Sequence, residues 1–363
     1  MAGRDQSKAL RSLFGSTDPA HIRCKTSTLA RFTKQLSVLI GSGVPLHEAL
    51  DSLTRLQTDN LSIFVIPEVS SKVTRGYRFS SALAQFPRVF PNTYTALIRA
   101  SEETGSLQPV LDKLSEWLEK QDSIERHVKK ALTYPVFVIV LAGILTMLLF
   151  KTVVPQILET VVALGAELPL PTKILMFIIS AIESPLFWFL VVSLASLVIY
   201  YLRTPKGYLQ TITILHFSPI LGEILMASGN SRYSNTLSML VESGVDIIRS
   251  CRIAAEASGN PLIVNDSIRV VKELREGRYF REALESRPFY PLMLINMVGV
   301  GDETGRMAEL LGRSGALLEE ETMYRLDSFV NLLEPIILAG VSLIVGSVLV
   351  AIMLPMANLV SAL

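Results

Sequence analysis

The stretch LSVLIGSGVP, residues 36–45, returns as LSMLVESGVD at residues 237–246, an offset of 201. The match continues in order along the chain. RGYRFSSAL (75–83) answers EGRYFREAL (276–284) at the same offset. Phe90-Pro91 and EETG (102–105) then answer Tyr290-Pro291 and DETG (302–305) at an offset of 200. One residue is lost between the second and third matches, as a loop tolerates. Order kept over this length indicates a duplicated domain, so the fold question reduces to one copy. In that copy Phe32, Leu36, Leu39 and Ile40 fall at i, i+4, i+7 and i+8, a core-facing helical stripe. Gly43, and by the repeat Gly244, supplies the left-handed residue that ends this helix. Leu46, Ala49, Leu50 and Leu53 begin a second stripe, and Pro91 suits the first turn of a helix carrying Tyr94, Leu97 and Ile98. Leu107, Leu111, Leu114 and Leu118 form another apolar face. No run alternates apolar and polar residues convincingly, so each copy reads as a bundle of about five or six helices.

Each copy precedes a long uncharged segment. The 363 residues are 50% hydrophobic and only 18% charged, and most of the excess apolar residues lie in three places. Ala131–Phe150 holds twenty residues without a charge, enough for about 30 Å of helix, the thickness of a hydrocarbon core. Ser184–Leu202 is a second such segment, with Trp188, Tyr200 and Tyr201 as interfacial aromatics. Pro335–Leu363 is free of charge throughout, and Pro355 is expected to end the third span. The fold expected is an all-α membrane protein with two homologous cytoplasmic helical bundles and three transmembrane helices. Its divisions are a short tail (1–27), a first repeat domain (28–130), span one (131–154), an outer loop (155–183) and span two (184–202). A second repeat domain (203–330), span three (335–355) and a C-terminal tail (356–363) follow. In the outer loop Pro169 and Pro171 interrupt any helix, and Thr172 is placed to cap a short apolar one over 173–182.

Orientation follows from the basic residues. Residues 1–132 carry 18 Lys and Arg and residues 203–330 carry 14, against only Lys151 and Lys173 between the first two spans. The positive-inside rule places both repeat domains and the N-terminus in the cytoplasm. Lys151, at the outer end of span one, is able to snorkel to the headgroups. The first thirty residues contain no long apolar run, so no secretory signal peptide is expected.

The whole-chain charge of +1 argues against direct nucleic-acid binding. Cys24 and Cys251 have no metal spacing and read as packing residues. The four histidines are scattered, and His47 with Asp51 at i, i+4 supplies two ligands where a metal site needs more. There is no Walker A sequence, and Gly299, Gly301 and Gly305 have the wrong spacing for a dinucleotide loop. The chain is therefore not expected to be an enzyme. A transporter built on duplicated cytoplasmic domains is the alternative, and the absence of charge within the spans argues against it. Ser342 and Gly346 are small residues four apart in the third span, a spacing that permits close helix contact, though small residues also occur in ordinary apolar helices. The acidic turns Glu102-Glu103-Thr104-Gly105 and Asp302-Glu303-Thr304-Gly305 read either as solvated turns with a glycine cap, as caps for the next helix, or as binding points for a partner or cation.

Several stretches resemble, in order, the F-protein family of inner-membrane platforms of type II secretion systems and type IV pili. They are LARFTKQLSVLIGSGVPLHEAL (29–50), SEETGSL (101–107), ALTYPVFVIV (131–140), VVP (153–155) with GAELPLPT (165–172), GDETGRM (301–307) and NLLEPIILAGVSLIVGSVLVAIMLP (331–355). The resemblance covers roughly residue 28 to the C-terminus. It implies a nonenzymatic, self-associating protein of the bacterial inner membrane. Its partners would be a cytoplasmic assembly or retraction ATPase, pilins or pseudopilins, and other inner-membrane assembly proteins. It also implies a divalent cation, calcium, held by acidic side chains of the first domain, for which Glu103 is the matching residue. Many relatives have a longer segment before the first repeat, so an ATPase contact through that segment is not carried over.

Overall fold

The computed structural model describes residues 24–55, 61–163, 184–216 and 220–362, with isolated positions between them. The expected outer-loop helix and most of the N-terminal tail lie outside the described residues. Every regular element described is helical. The first copy runs α1 (Thr26–Gly41), α2 (Leu46–Arg55), a π turn at Leu61–Val65 leading into α3 (Ile66–Thr74), α4 (Phe79–Leu83), α5 (Asn92–Thr104) and α6 (Leu107–Ala163). After α7 (Pro185–Arg203) and α8 (Pro205–His216), the second copy repeats the order. Its helices are α9 (Leu221–Glu242), α10 (Ile247–Ser258), α11 (Pro261–Arg275), α12 (Phe280–Glu285), α13 (Leu292–Thr304) and α14 (Met307–Ala362). The starts of α2 and α10 differ by 201 residues, and those of α6 and α14 by 200, as in the sequence matches.

Matching turns explain why the copies fold alike. Gly43 and Gly244 stand at φ +83° and +80°, a region in which a side chain would be strained. The N–H of Val44 donates to Leu39 O and that of Val245 to Leu240 O, closing the same six-residue ring. Gly76 and Gly277 (φ +87° and +86°) take the same left-handed conformation after α3 and α11, as do Gly105 and Gly305 (+72° and +70°) after α5 and α13. The aromatic cores match too. Phe32 lies 6.3 Å from Phe90, and their counterparts Tyr233 and Tyr290 are 5.6 Å apart.

The two copies form one compact unit rather than two separate bundles. Leu240 and Ile253 of the second copy belong to the first copy's apolar core, beside Leu36, Leu50 and Leu111. Asn92 donates to Glu256 at 2.9 Å, and Lys113 pairs with Glu242, so polar contacts rim this apolar seam. Within the second copy α9 and α14 approach through small residues. Ser231 Oγ donates to Gly315 O at 3.0 Å and Ser238 Oγ to Ala308 O at 2.6 Å.

A second unit holds the apolar segments. Among the described residues three helices are long and apolar enough to cross a membrane, within α6, α7 and α14. Their large side chains face outward, among them Phe137, Phe189 and Leu343 at 61%, 73% and 76% exposure. Contiguous apolar surface of this extent requires lipid around it. Two boundaries differ from the sequence expectation. The first span is not a separate element, because α6 runs unbroken from the bundle through Pro135 and Pro155. Pro355 likewise does not end the third helix, which continues to Ala362, so the expected tail over 356–362 is helical. Neighbouring helices and side chains can re-satisfy the backbone groups freed by a membrane proline.

A Cβ at Gly315 would lie 2.2 Å from Asn235 Oδ1 and 2.9 Å from its backbone N. Gly315→Val is therefore expected to lower stability by about 1–3 kcal/mol or more through overpacking. Chemical denaturation followed by circular dichroism in detergent would measure the loss.

Candidate functional site

The paired acidic turns are the polar feature common to both copies. Each ends a helix at a left-handed glycine: α5 ends at Gly105, whose N–H donates to Ser101 O, and α13 ends at Gly305. The threonines bond back into their helices, Thr104 to Ala100 O at 3.1 Å and Thr304 to Val300 O at 2.7 Å. The first carboxylate of each turn has a structural task. Glu102 accepts from the backbone N–H groups of Phe79 and Ser80 and from Ser80 Oγ, the free donors at the start of α4. The Phe280 N–H at the start of α12 favours the charged form of Asp302. A carboxylate on orphan helix N–H groups satisfies donors that the helix cannot. The cap therefore reaches back to the preceding short helix, not forward to the next one. Burial raises the Asp302 carboxyl above its ordinary value, and the Phe280 hydrogen bond opposes that shift.

The second carboxylates behave differently. Glu103 and Glu303 are exposed, and neither has an ion pair or hydrogen bond among the described residues. Calcium takes six to eight oxygens. Among the described residues no three Asp, Glu, His or Cys side chains converge, so Glu103 alone does not make such a sphere. His47 and Asp51 do not converge on a metal either, since Asp51 pairs with Arg55 at 2.9 Å. The thiols behave as packing groups. Burial pushes Cys251 up to about 12 and Cys24 up to about 11. In the third span Ser342 is exposed, and a Cβ at Gly346 would meet nothing within 4 Å.

Sequence reasoning missed a polar cluster buried only in the second copy. Arg287 lies 2.6 Å from Glu273 and 3.7 Å from Asp266, and Asp266 is 5% exposed. Burial raises the Asp266 carboxyl, while Arg287 and Arg269 pull it down. Its Oδ2 has no hydrogen-bond partner among the described residues. The only signal for this cluster is an acidic residue interrupting the α11 stripe where the first copy has Val65 or Ile66.

The two carboxylates of the turn are separable by substitution. Glu102→Ala strips three donors of their acceptor and is expected to cost about 1–2 kcal/mol. Glu103→Ala, at a solvated position, is expected to stay within about 0.5 kcal/mol of the parent. Parallel denaturation curves of the two variants decide the assignment.

The family model for type II secretion system protein F matches the chain twice, at residues 32–155 and 233–355. Each match takes in one helical copy and the span that follows it. The type IV pilus assembly protein PilC of Pseudomonas aeruginosa is 29% identical over 344 residues, 93% of this chain and 91% of that protein. PilC of Myxococcus xanthus is 30% identical over 335 residues, 91% of this chain and 80% of the relative. The type II secretion system protein F of P. aeruginosa is 28% identical over 336 residues, 91% and 82% of the two chains. With two matched copies covering well over half its length, this chain belongs to the type II secretion system protein F family.

Proposed function

We propose that the protein is the inner-membrane platform of a type II secretion or type IV pilus assembly machine, coupling a cytoplasmic ATPase to insertion or extraction of pilins or pseudopilins. The observation that carries this reading is the match over 93% of the chain to a type IV pilus assembly protein. Geometry supports it: the last helix of each copy is also a membrane span, α6 in the first and α14 in the second. A displacement imposed on either bundle is thus applied directly to a transmembrane helix, with no linker between them. Basic residues concentrated in the two repeat domains favour a cytoplasmic N-terminus, where the ATPase works. Other inner-membrane assembly proteins are further partners on the same reading.

Self-association fits a platform seated on the axis of a symmetric motor. The Ser342 and Gly346 seam favours it, because α14 has room for another backbone there. Glu103 and Glu303 are carboxylates suited to a partner's cations.

Topology and coupling are testable together. Reporter fusions after Gly165 and after His216 are expected on opposite sides of the membrane; the same side for both rejects the orientation. The intact protein is expected to co-purify with the ATPase encoded beside it and to crosslink to itself. Gly346→Val is expected to weaken the self-crosslink and leave the helical content unchanged. Normal pilus or pseudopilus assembly without the protein rejects the platform role.

A further inference from the structure

Where the two copies meet, a groove of about 230 Å³ takes its walls from both. Three cations line it, Lys25 before α1, Arg88 in the loop before α5 and Arg232 on α9, and no carboxylate does. Asp59, whose charge reaches neighbouring Cys24, is engaged with Arg31 at 3.2 Å. Lys25 and Arg88 form no ion pair with a described residue. Arg232 is held in place by hydrogen bonds to Ser258 O at 2.7 Å and Ser228 Oγ at 2.8 Å, so less side-chain freedom is lost when it meets a ligand.

A second observation points to a missing acceptor. Trp117, from α6, lines the groove, and its Nε1 is buried without a hydrogen-bond partner among the described residues. An orphaned buried donor costs about 1–3 kcal/mol, and no described residue supplies its acceptor. Gln121 lies one turn further along α6, while Leu29 and Val89 give the groove an apolar floor. Of the three cations only Arg232 has a basic counterpart in the other copy, Arg31 at the 201-residue offset. At the 201-residue offset Lys25 answers Met226, and at the 200-residue offset Arg88 answers Pro288 and Trp117 answers Leu317.

We propose that this groove binds a small phosphate monoester, its dianionic phosphate held by Lys25, Arg88 and Arg232 and its body resting on the apolar floor beside Trp117. Charge selects the class. Two or three cations around one point match a phosphate dianion better than a single carboxylate, which one guanidinium fork already satisfies. Volume agrees, since water occupies about 30 Å³ and the groove accommodates a phosphate with several further heavy atoms. A ligand here would touch both copies and so bear on their packing.

The chain has two tryptophans, so Trp188→Phe leaves Trp117 as the single fluorescent reporter. The full-length variant in nanodiscs is titrated with glycerol 3-phosphate at constant ionic strength, with glycerol and sodium chloride as controls. Calorimetry on the unaltered chain runs in parallel, so the result does not depend on the variant. A saturable fluorescence change with glycerol 3-phosphate alone, weakened by about tenfold or more in Lys25→Gln/Arg88→Gln, is the expected result. A response no different from that of the chloride control, or one undiminished in the double variant, overturns the proposal.

Discussion

A helix that passes from water into lipid must change what it buries along its length, and α6 and α14 each do this without a break. In its first turns α6 buries one stripe, Val110, Leu111, Leu114 and Leu118, and leaves Glu116, Glu119 and Lys120 exposed. From Ala131 to Phe150 it carries no charge on any side, because lipid penalises a polar face that water rewards. Between these regimes lies a collar of exposed charges, Arg126, Lys129 and Lys130, with Arg126 paired to Asp122 at 2.8 Å. At this level His127 and Asp327, repeat-equivalent positions 200 residues apart, meet at 2.6 Å.

Duplication preserved the backbone devices and let the cores diverge. Glycine turns recur in pairs because a left-handed position tolerates little else. Side-chain packing has no such constraint. Phe32 and Phe90 became Tyr233 and Tyr290, and the apolar Leu50 became Cys251. Burial raises both tyrosine hydroxyls well above their ordinary range. Asp266 goes further, placing a carboxyl where the first copy has only hydrocarbon. Its raised value has a definite sign: any stabilisation relative to the unfolded chain is present below the ordinary carboxylate range and lost as pH rises through the folded value. The second copy therefore has the more pH-sensitive core, while the first rests on Phe79, Phe90, Leu97 and their neighbours.

Local features were legible in the sequence and tertiary ones were not. Glycine turns, helical stripes and uncharged spans all declare themselves within a few turns of chain. The capping role of Glu102 does not, since its donors lie 22 and 23 residues upstream and only the packing of α4 on α5 brings them together. The prolines misled for a related reason. A proline ends a helix when water competes for the freed carbonyl, and around Pro355 that competition is absent. The sharing of one core by two copies also left no local mark, because Leu240 and Ile253 sit on stripes that look self-sufficient.

The acidic turns carry one more step. Glu102, Glu103, Asp302 and Glu303 all sit in the last turn of a helix, where the negative end of the dipole disfavours a carboxylate by about 0.3–1 kcal/mol. For Glu102 the hydrogen bonds to the start of α4 offset that cost, and for Asp302 the Phe280 N–H favours the charged form. Successive residues on a helix point about 100° apart, so Glu103 cannot share the cap while Glu102 occupies it. Glu103 and Glu303 thus bear the dipole's penalty with no compensating contact among the described residues. A charge placed against its own helix, at the same position in both copies, does nothing for the fold of either.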